Sequence, residues 1–513
     1  KPTITAGLRV PQASTTAFSS SSVMQSGFST KTVDPGGGLG HTGGMNANDM
    51  PVPLQALFEA QRAAFAAAPY SPWEARAHRL RRLLDLIRDH EGAIKQSIDQ
   101  DFGGRPAIET DVAEIWPSLA EVKGALRHGR RWMKPRRAGV GKWFLPASGR
   151  VMPQPLGVVG ILVPWNYPLY LAIGPMAAAL AAGNRVMVKM SEASPAFASC
   201  FQALCAKAFA EDEVAVVTGG PDVAVQFSAL PFYHLLFTGS TTIGRHVMGA
   251  AARNLTPVTL ELGGKSPTVI SPEYPMEHAV QRILAGKLMN AGQTCIAPDY
   301  VLLPKGKRDD FVKALRKEVQ ARYGENLENL GDYTRIINDG QYARLKGHLD
   351  DAKARGIEKV TLAGHADPAQ RLLPPTLLLE PGDDATVMQD EIFGPLLPIR
   401  SYKSLDEAIA YVNGRDRPLA LYPFSNDRAT VEKILRSTLA GGVSVNDTLF
   451  HFAVSGLPFG GIGPSGMGAY HGRAGFDATS KQLPILWQAR RTGADLLKPP
   501  YRKAQWLIDL IVR

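Results

Sequence analysis

A cysteine in a polar turn and a carboxylate 34 residues before it are the two groups in this sequence best placed to do chemistry. Cys295 closes the stretch Asn290-Ala291-Gly292-Gln293-Thr294-Cys295 and is one of only three cysteines in 513 residues. It follows a helix-like run (Ile283, Leu284, Lys287, Leu288), where a substrate could reach the thiol. A thiolate is a strong nucleophile toward carbonyl carbon. Glu261 stands in Leu260-Glu261-Leu262-Gly263-Gly264-Lys265, at the end of an apolar strand and against a double-glycine turn. A buried carboxylate there can serve as a general base tuned toward neutral pH. The plainer reading of a lone cysteine is a small core hydrophobe.

Other short runs end apolar strands in the same way. In Pro164-Trp165-Asn166-Tyr167-Pro168 the Asn166 amide could donate to a developing oxyanion; otherwise it is a turn residue between prolines. In Lys189-Met190-Ser191-Glu192 an ammonium and a carboxylate could grip the vicinal hydroxyls of a ribose, and the carboxylate disfavours a 2′-phosphate; otherwise they are a surface pair. In Phe237-Thr238-Gly239-Ser240 a strand opens into a helix, where Gly239 allows close backbone approach and Ser240 can cap the helix or donate to an anion. This spacing is not G-x-G-x-x-G, and alone it suits any strand–turn–helix. Glu391-Ile392-Phe393-Gly394-Pro395 and Pro458-Phe459-Gly460-Gly461 each bring an aromatic side chain beside a turn.

These residues need a scaffold of alternating strands and helices. Helical periodicity begins at Leu54 (Leu54, Leu57, Phe58, Phe65), and Leu80, Leu83, Leu84, Ile87, Ile94 and Ile98 share another face. Strands are expected at 157–163, 186–189, 214–217, 235–237 and 258–260, with helices over 169–182 and 195–209. A second block follows Gly264, with strands at 268–270, 300–303, 360–362, 396–399 and 443–445. The expected fold class is α/β, with two Rossmann-type parallel units, a cleft between them, Cys295 in the second unit and Glu261 at the junction.

At 513 residues two or more domains are expected, with 45% hydrophobic and 20% charged residues typical of a globular chain. No run is long and apolar enough to predict a membrane span. The cysteines make no metal-ligand spacing and no disulfide framework, which favours a reducing compartment and predicts no metal. Of the net charge of +10, residues 121–150 hold nine Lys/Arg against one Glu. That run could attract a polyanion or an anionic bilayer, or be a solvated face; no nucleic-acid motif accompanies it. Residues 1–49, rich in Ser, Thr and Gly, are expected to be disordered. They carry no acidic residue before Asp34, faintly like a transit peptide; expression-derived or upstream translated sequence fits at least as well, with Met45 as a plausible natural start. In the 491–513 tail, Trp506, Leu507, Leu510 and Ile511 form one apolar helical face, read as a docking segment ahead of a loose tail or a membrane contact.

Taken in order, PWNYP, K-x-S-E, FTGS, ELGGK, GQTC, EIFGP and PFGG resemble the aldehyde dehydrogenase superfamily over about residues 50–490. The linker 152–160, the run 213–220 and Val445-Asn446-Asp447-Thr448 are most similar to the class 3-like branch and, within it, to the bacterial coniferyl aldehyde dehydrogenases. The resemblance implies an NAD-binding domain from 50–142 with 157–262, and a catalytic domain over 263–445. It also implies bridging and oligomerisation elements at 143–156, as a hairpin, and at 446–490, with the part after Gly468 packing against the hairpin. Cys295 would be the nucleophile and Glu261 the base that activates water. Asn166 and the Cys295 N–H would form the oxyanion hole. Lys189 and Glu192 would hold the adenosine ribose, Gly239 and Ser240 the pyrophosphate, and Glu391 the nicotinamide ribose, with Phe393 and Trp165 near the cofactor. Trp116, Tyr167 and Phe459 would line the aldehyde pocket. Met190 stands where the family usually has proline, and His451 to Gly456 departs from its pattern at the aldehyde entrance. The implied activity is NAD-dependent oxidation of an aromatic or medium-chain aldehyde to its acid, with NADP as the other cofactor, by a cytoplasmic homodimer. The rivals are a CoA-acylating dehydrogenase and a non-catalytic interaction protein using the basic segment.

Overall fold

Why the strand-end residues converge is visible from the sheet order. The computed structural model describes residues 54–141, 144–327, 331–492, 495, 498–501, 504–506 and 509. The readings made for residues 1–49, Met45, Trp143, Leu507, Leu510 and Ile511 fall outside them.

Six strands form one sheet, in the order Gly466–Met467, Val258–Glu261, His234–Thr238, Val158–Leu162, Arg185–Lys189 and Val214–Val217. All neighbours are parallel except Gly466–Met467. The chain leaves the central Val158–Leu162 strand to one side and later returns to its other side. That order reversal opens a crevice at the strands' C-terminal ends. Asn166, Lys189, Gly239 and Glu261 lie at or just beyond those ends.

A seven-stranded sheet follows, ordered Glu358–Thr361, Thr376–Leu379, Leu396–Tyr402, Tyr300–Pro304, Pro267–Ile270, Ala420–Phe424 and Gly442–Val443. Only its first pair is antiparallel. The fold is α/β with two parallel sheets, as the alternation of apolar runs predicts. The strands Thr376–Leu379 and Ala420–Phe424 were not predicted. Both are wholly buried and read as continuous apolar runs without alternation. One large core cluster joins residues of both sheets, so the units share packing rather than each holding a private core. A second cluster on the far face of the six-stranded sheet receives Phe58.

The segment 144–156, expected to belong to an oligomerisation hairpin, packs against the part of the chain after Gly468, as expected. That segment supplies one strand, Ser148–Pro155, which pairs on one side with Arg136–Ala138 and on the other, over eight residues, with Ser480–Trp487. The basic run therefore splits. Arg127, Arg130 and Arg131 belong to the helix Trp116–Trp132, and Arg136 and Arg137 lie in a short exposed strand. Gly466–Met467, expected with the bridging elements, instead edges the six-stranded sheet. Trp506 is exposed. Among the described residues no helix is long and apolar enough to cross a membrane, and no cluster of His, Cys, Asp or Glu could hold a metal ion.

Asn184 ties these parts together. It is fully buried just past the helix Tyr170–Ala182, beyond the left-handed Gly183 cap. Its Oδ1 accepts the N–H groups of Leu156 (2.7 Å) and Gly157 (3.0 Å). Its Nδ2 donates to the carbonyls of Ala179 (3.2 Å) and Thr479 (2.8 Å). One side chain thus joins the three-stranded sheet, the central strand and a core helix. Asn184→Ala strips the Leu156 and Gly157 N–H groups and the Thr479 carbonyl of this partner, while the Ala179 carbonyl keeps the Asn184 N–H, so we expect a loss of about 3–5 kcal/mol. Urea unfolding of the variant checks this. A midpoint equal to that of the unsubstituted protein would remove Asn184 from this role.

Candidate active site

The approach to Cys295 is built against local preference. The helix Met276–Leu288 ends, and Asn290 (φ 54°), Ala291 (φ 50°) and Gly292 (φ 75°) turn left-handed in succession. For a residue such as alanine that conformation costs roughly 1–2 kcal/mol. Hydrogen bonds offset it. Asn290 Nδ2 donates to the carbonyls of Asn166 (3.0 Å) and Gln293 (3.2 Å). Gln293 Nε2 donates to the carbonyls of Asn290 and Arg335 (both 3.0 Å), and its Oε1 accepts the Ile337 N–H (3.0 Å). At Gly292 a Cβ would overlap the Gly394 carbonyl, so the GQTC turn and the EIFGP turn meet backbone to backbone.

Cys295 emerges half-buried on a cavity that it shares with Glu261. The walls are almost entirely apolar, and Trp116, Tyr167 and Phe459 all line them. Sequence reasoning missed Thr238 and Tyr470, which line them too, as does Phe452. Phe452 falls in the 451–456 run assigned to the entrance. Tyr470 carries no sequence signal beyond an aromatic residue after a glycine-rich stretch. Tyr167 donates to or accepts from Thr294 Oγ1 at 2.6 Å, bracing the residue before the thiol.

Polar atoms in the cavity wall stand without partners. Both Glu261 oxygens, Thr238 Oγ1 and Tyr470 OH are buried and make no hydrogen bond within the protein. Thr238 and Glu261 are direct neighbours across two parallel strands, so their side chains lie side by side. Buried polar atoms of this kind await water or ligand. Burial alone pushes the Glu261 carboxyl well above its ordinary range. Burial also raises the Cys295 thiol, with Glu391 and then Glu261 adding to the effect. The backbone N–H groups of Cys295 and Ile296 oppose it.

Asn166 lies beneath this cavity and outside its lining. Its Nδ2 donates one N–H to the Gln293 carbonyl at 3.1 Å, which leaves the amide a second N–H. Glu391 is placed over Gly263, where a Cβ would overlap its carboxylate. Burial and the nearby Asp299 push it up to about 8, against the Gly264 N–H that it accepts. Arg344 donates to the carbonyls of Glu391 (3.2 Å), Ile392 (2.7 Å) and Phe393 (3.4 Å), which fixes this turn. Phe393 meets Trp165 edge-on at 5.4 Å, so Trp165 backs Phe393 and does not reach the cavity.

Along the six-stranded sheet edge the groups suit a dinucleotide. Lys189 Nζ, almost buried, donates to Glu192 Oε2 (3.1 Å) and to the Gly219 carbonyl (2.8 Å), while Glu192 is half exposed. Met190 donates its N–H to the Val217 carbonyl at 2.9 Å, a bond that proline could not make. Ser240 caps the helix Thr241–Ala252, accepting the Ile243 N–H at 3.4 Å, and Gly239 precedes it. The cap and the helix N-terminus suit a pyrophosphate. The unpartnered Glu391 Oε1 offers a buried acceptor for a ribose hydroxyl.

Residues 43–482 match the family described as the aldehyde dehydrogenase family. A Pseudomonas aeruginosa protein named "probable coniferyl aldehyde dehydrogenase" is 53% identical over 451 residues, covering 88% of this chain and 94% of that protein. Among solved structures, the substrate-bound state of Staphylococcus aureus AldH superposes with a TM-score of 0.86 at 36% identity. It covers 90% of this chain and all of that one. A Mycobacterium tuberculosis aldehyde dehydrogenase complexed with NAD+ superposes with a TM-score of 0.76 at 27% identity, over 85% of this chain and 90% of the other.

The electrostatics generate a test that needs no substrate. Glu391 is the leading charge among those raising the Cys295 thiol, so Glu391→Gln should lower that pKa and increase the thiolate fraction at a given pH. Cys295 alkylation by iodoacetamide at pH 8, followed by peptide mass, is therefore expected to be several-fold faster in the variant. A slower reaction would reverse the assignment.

Proposed function

The chain belongs to the aldehyde dehydrogenase family, and we propose that it oxidises an aromatic aldehyde of the coniferaldehyde kind, or a medium-chain aliphatic one, to the carboxylic acid through a covalent bond to Cys295. One observation carries this reading. A thiol, and a carboxyl group that has no protein partner, face the same largely apolar cavity. The similarity to a protein named for coniferyl aldehyde supports the aromatic choice.

Cys295 Sγ attacks the carbonyl carbon as its proton leaves to the Glu261 carboxylate, which lines the same cavity and passes the proton to solvent before deacylation. The carbonyl oxygen becomes an alkoxide, for which the free N–H of Asn166 is a donor. Such a donor is typically worth about 3–4 kcal/mol. NAD, when bound, supplies the oxidising power by accepting the hydride, which leaves the acyl group on sulfur as a thioester. Lys189 and Glu192 would hold its adenosine ribose, Gly239 and Ser240 its pyrophosphate, and Glu391 its second ribose, with Phe393 alongside. Glu261 then takes a proton from water as that water attacks the thioester; the acid is released, and the departing Cys295 thiolate recovers the proton from Glu261. Thiolysis by a CoA thiol would not need this base. Glu192 favours NAD over NADP, because a 2′-phosphate would meet a like charge.

We place the enzyme in the cytoplasm as a homodimer. Three free cysteines suit a reducing compartment. Ser480–Trp487 is an edge strand ending in exposed Leu486 and Trp487, and such edges are managed by pairing or covering. Sedimentation at micromolar concentration reads the mass directly.

Two variants test the chemistry with an aldehyde panel and either cofactor. Cys295→Ala should abolish oxidation while cofactor binding persists; turnover like that of the unsubstituted enzyme would sink the nucleophile. Glu261→Gln should give a rapid burst of reduced cofactor followed by steady-state turnover slower by roughly 10²–10⁴-fold. In the unsubstituted enzyme the raised Glu261 carboxyl must lose its proton to act. Deacylation should therefore rise with pH above the usual carboxylate range, and that limb should vanish in the variant.

A further inference from the structure

The chain before the nucleophile is held by a residue 181 positions away. Glu109 belongs to the short helix Ala107–Thr110, which runs through a π-helical turn, Asp111–Ile115, into the helix Trp116–Trp132. Its Oε1 accepts the backbone N–H of Asn290, the first residue of the left-handed run. Its Oε2 accepts the Thr334 hydroxyl at 3.0 Å. Earlier in the chain Arg105, also buried, donates to Glu114 Oε1 (2.7 Å) and to the Asn166 carbonyl (3.3 Å). Its guanidinium lies 5.1 Å from the centre of the Tyr167 ring, and Tyr167 is bonded to Thr294.

One segment therefore grips the nucleophile's approach at Asn290, braces Thr294 through Tyr167, and holds the backbone of Asn166. A helix end has carbonyl and N–H groups in need of partners. Asn290 has left the helical path, and a carboxylate from outside the sheet takes its N–H. We propose that Glu109 is a positioning residue for the Cys295 nucleophile, acting through the backbone N–H of Asn290 to set the left-handed turn. The proposal builds on the reading of Cys295 as nucleophile. It adds a residue that touches neither substrate nor cofactor.

The test separates positioning from bulk stability. Glu109→Gln keeps an acceptor for the Asn290 N–H and offers an amide N–H to the Thr334 hydroxyl. Glu109→Ala removes both, and Thr334→Val removes only the bond that orients the carboxylate. With saturating NAD and aldehyde, the burst of reduced cofactor should slow about 10–100-fold in Glu109→Ala and roughly threefold in Thr334→Val, and stay within about threefold in Glu109→Gln. The dissociation constant for NAD should not change. Cys295 alkylation by iodoacetamide, read by peptide mass, should depart from that of the unsubstituted enzyme in the same order. A burst in Glu109→Ala within about threefold of the unsubstituted enzyme, or Glu109→Gln as slow as Glu109→Ala, overturns the proposal. Should Glu109→Ala fail to fold, an unchanged burst in Thr334→Val overturns it instead. If the unsubstituted enzyme still turns over when Cys295 is fully alkylated, the nucleophile reading fails, and the alkylation order of the variants is read independently of that failure.

Discussion

Two carboxyl groups and a thiol, Glu261, Glu391 and Cys295, are held out of water in one crevice, and burial pushes all three toward their neutral forms. Each charge formed there therefore has to be created during reaction or balanced by a neighbour. A neutral thiol next to a carboxylate is stable at rest and becomes a nucleophile when the proton moves between them. A carboxyl raised above its ordinary range is a stronger base than one in water, and near neutral pH it is suited to activating a water molecule. Its two unpartnered oxygens leave room for that water. The same desolvation thus sets both halves of the chemistry.

Holding these groups so closely requires backbone approach that side chains would prevent. Gly263 lies where any Cβ would strike the Glu391 carboxylate, and Gly292 lies where one would strike the Gly394 carbonyl. The glycines of ELGGK, GQTC and EIFGP thereby join three segments of separate origin into one wall. The left-handed run at 290–292 stores strain that its hydrogen-bond partners hold in place. Arg344 does the same for the turn at 391–393, with three carbonyls on one guanidinium.

The sequence shows part of this site and hides the rest for physical reasons. Asn166, Lys189, Gly239 and Glu261 were legible because each is a polar or small residue at the end of an apolar run, where a parallel sheet presents ligand groups. Cys295 was legible from its polar turn. Glu109 and Arg105 were not, because the partners that tie them to the site, the Asn290 N–H and the Asn166 carbonyl, are backbone groups far along the chain, and one sequence carries no trace of such pairing. Tyr470 was missed because an aromatic residue in a loop looks the same whether it faces a cavity or a core. The strands Thr376–Leu379 and Ala420–Phe424 escaped because buried parallel strands do not alternate. The pairing of Ser148–Pro155 with the part of the chain after Gly468 was expected, but its partner strand, Ser480–Trp487, is too far downstream to be fixed by local pattern.

The cavity wall also bears on which aldehydes are accepted. Phe452, Phe459, Tyr470 and His471 pack ring to ring, with centroids 4.4 to 5.9 Å apart, and Tyr170 closes on Phe452 at 4.9 Å. The one titratable base among them, His471, is bonded to Tyr170 at 2.9 Å, and burial pushes it down to about 3. It is neutral throughout the pH range in which Glu261 acts, so this cluster offers a substrate no charge. A wall without charge discriminates chiefly by fit and contact area. In such pockets a methylene changes affinity by only about 1–3 kcal/mol. The polar atoms lie instead toward the carbonyl end, where every aldehyde is alike. On the proposed reaction, the polar groups would act at the carbonyl that all aldehydes share, and the uncharged wall would select the apolar body by fit, which suits the proposed aromatic or medium-chain aldehyde.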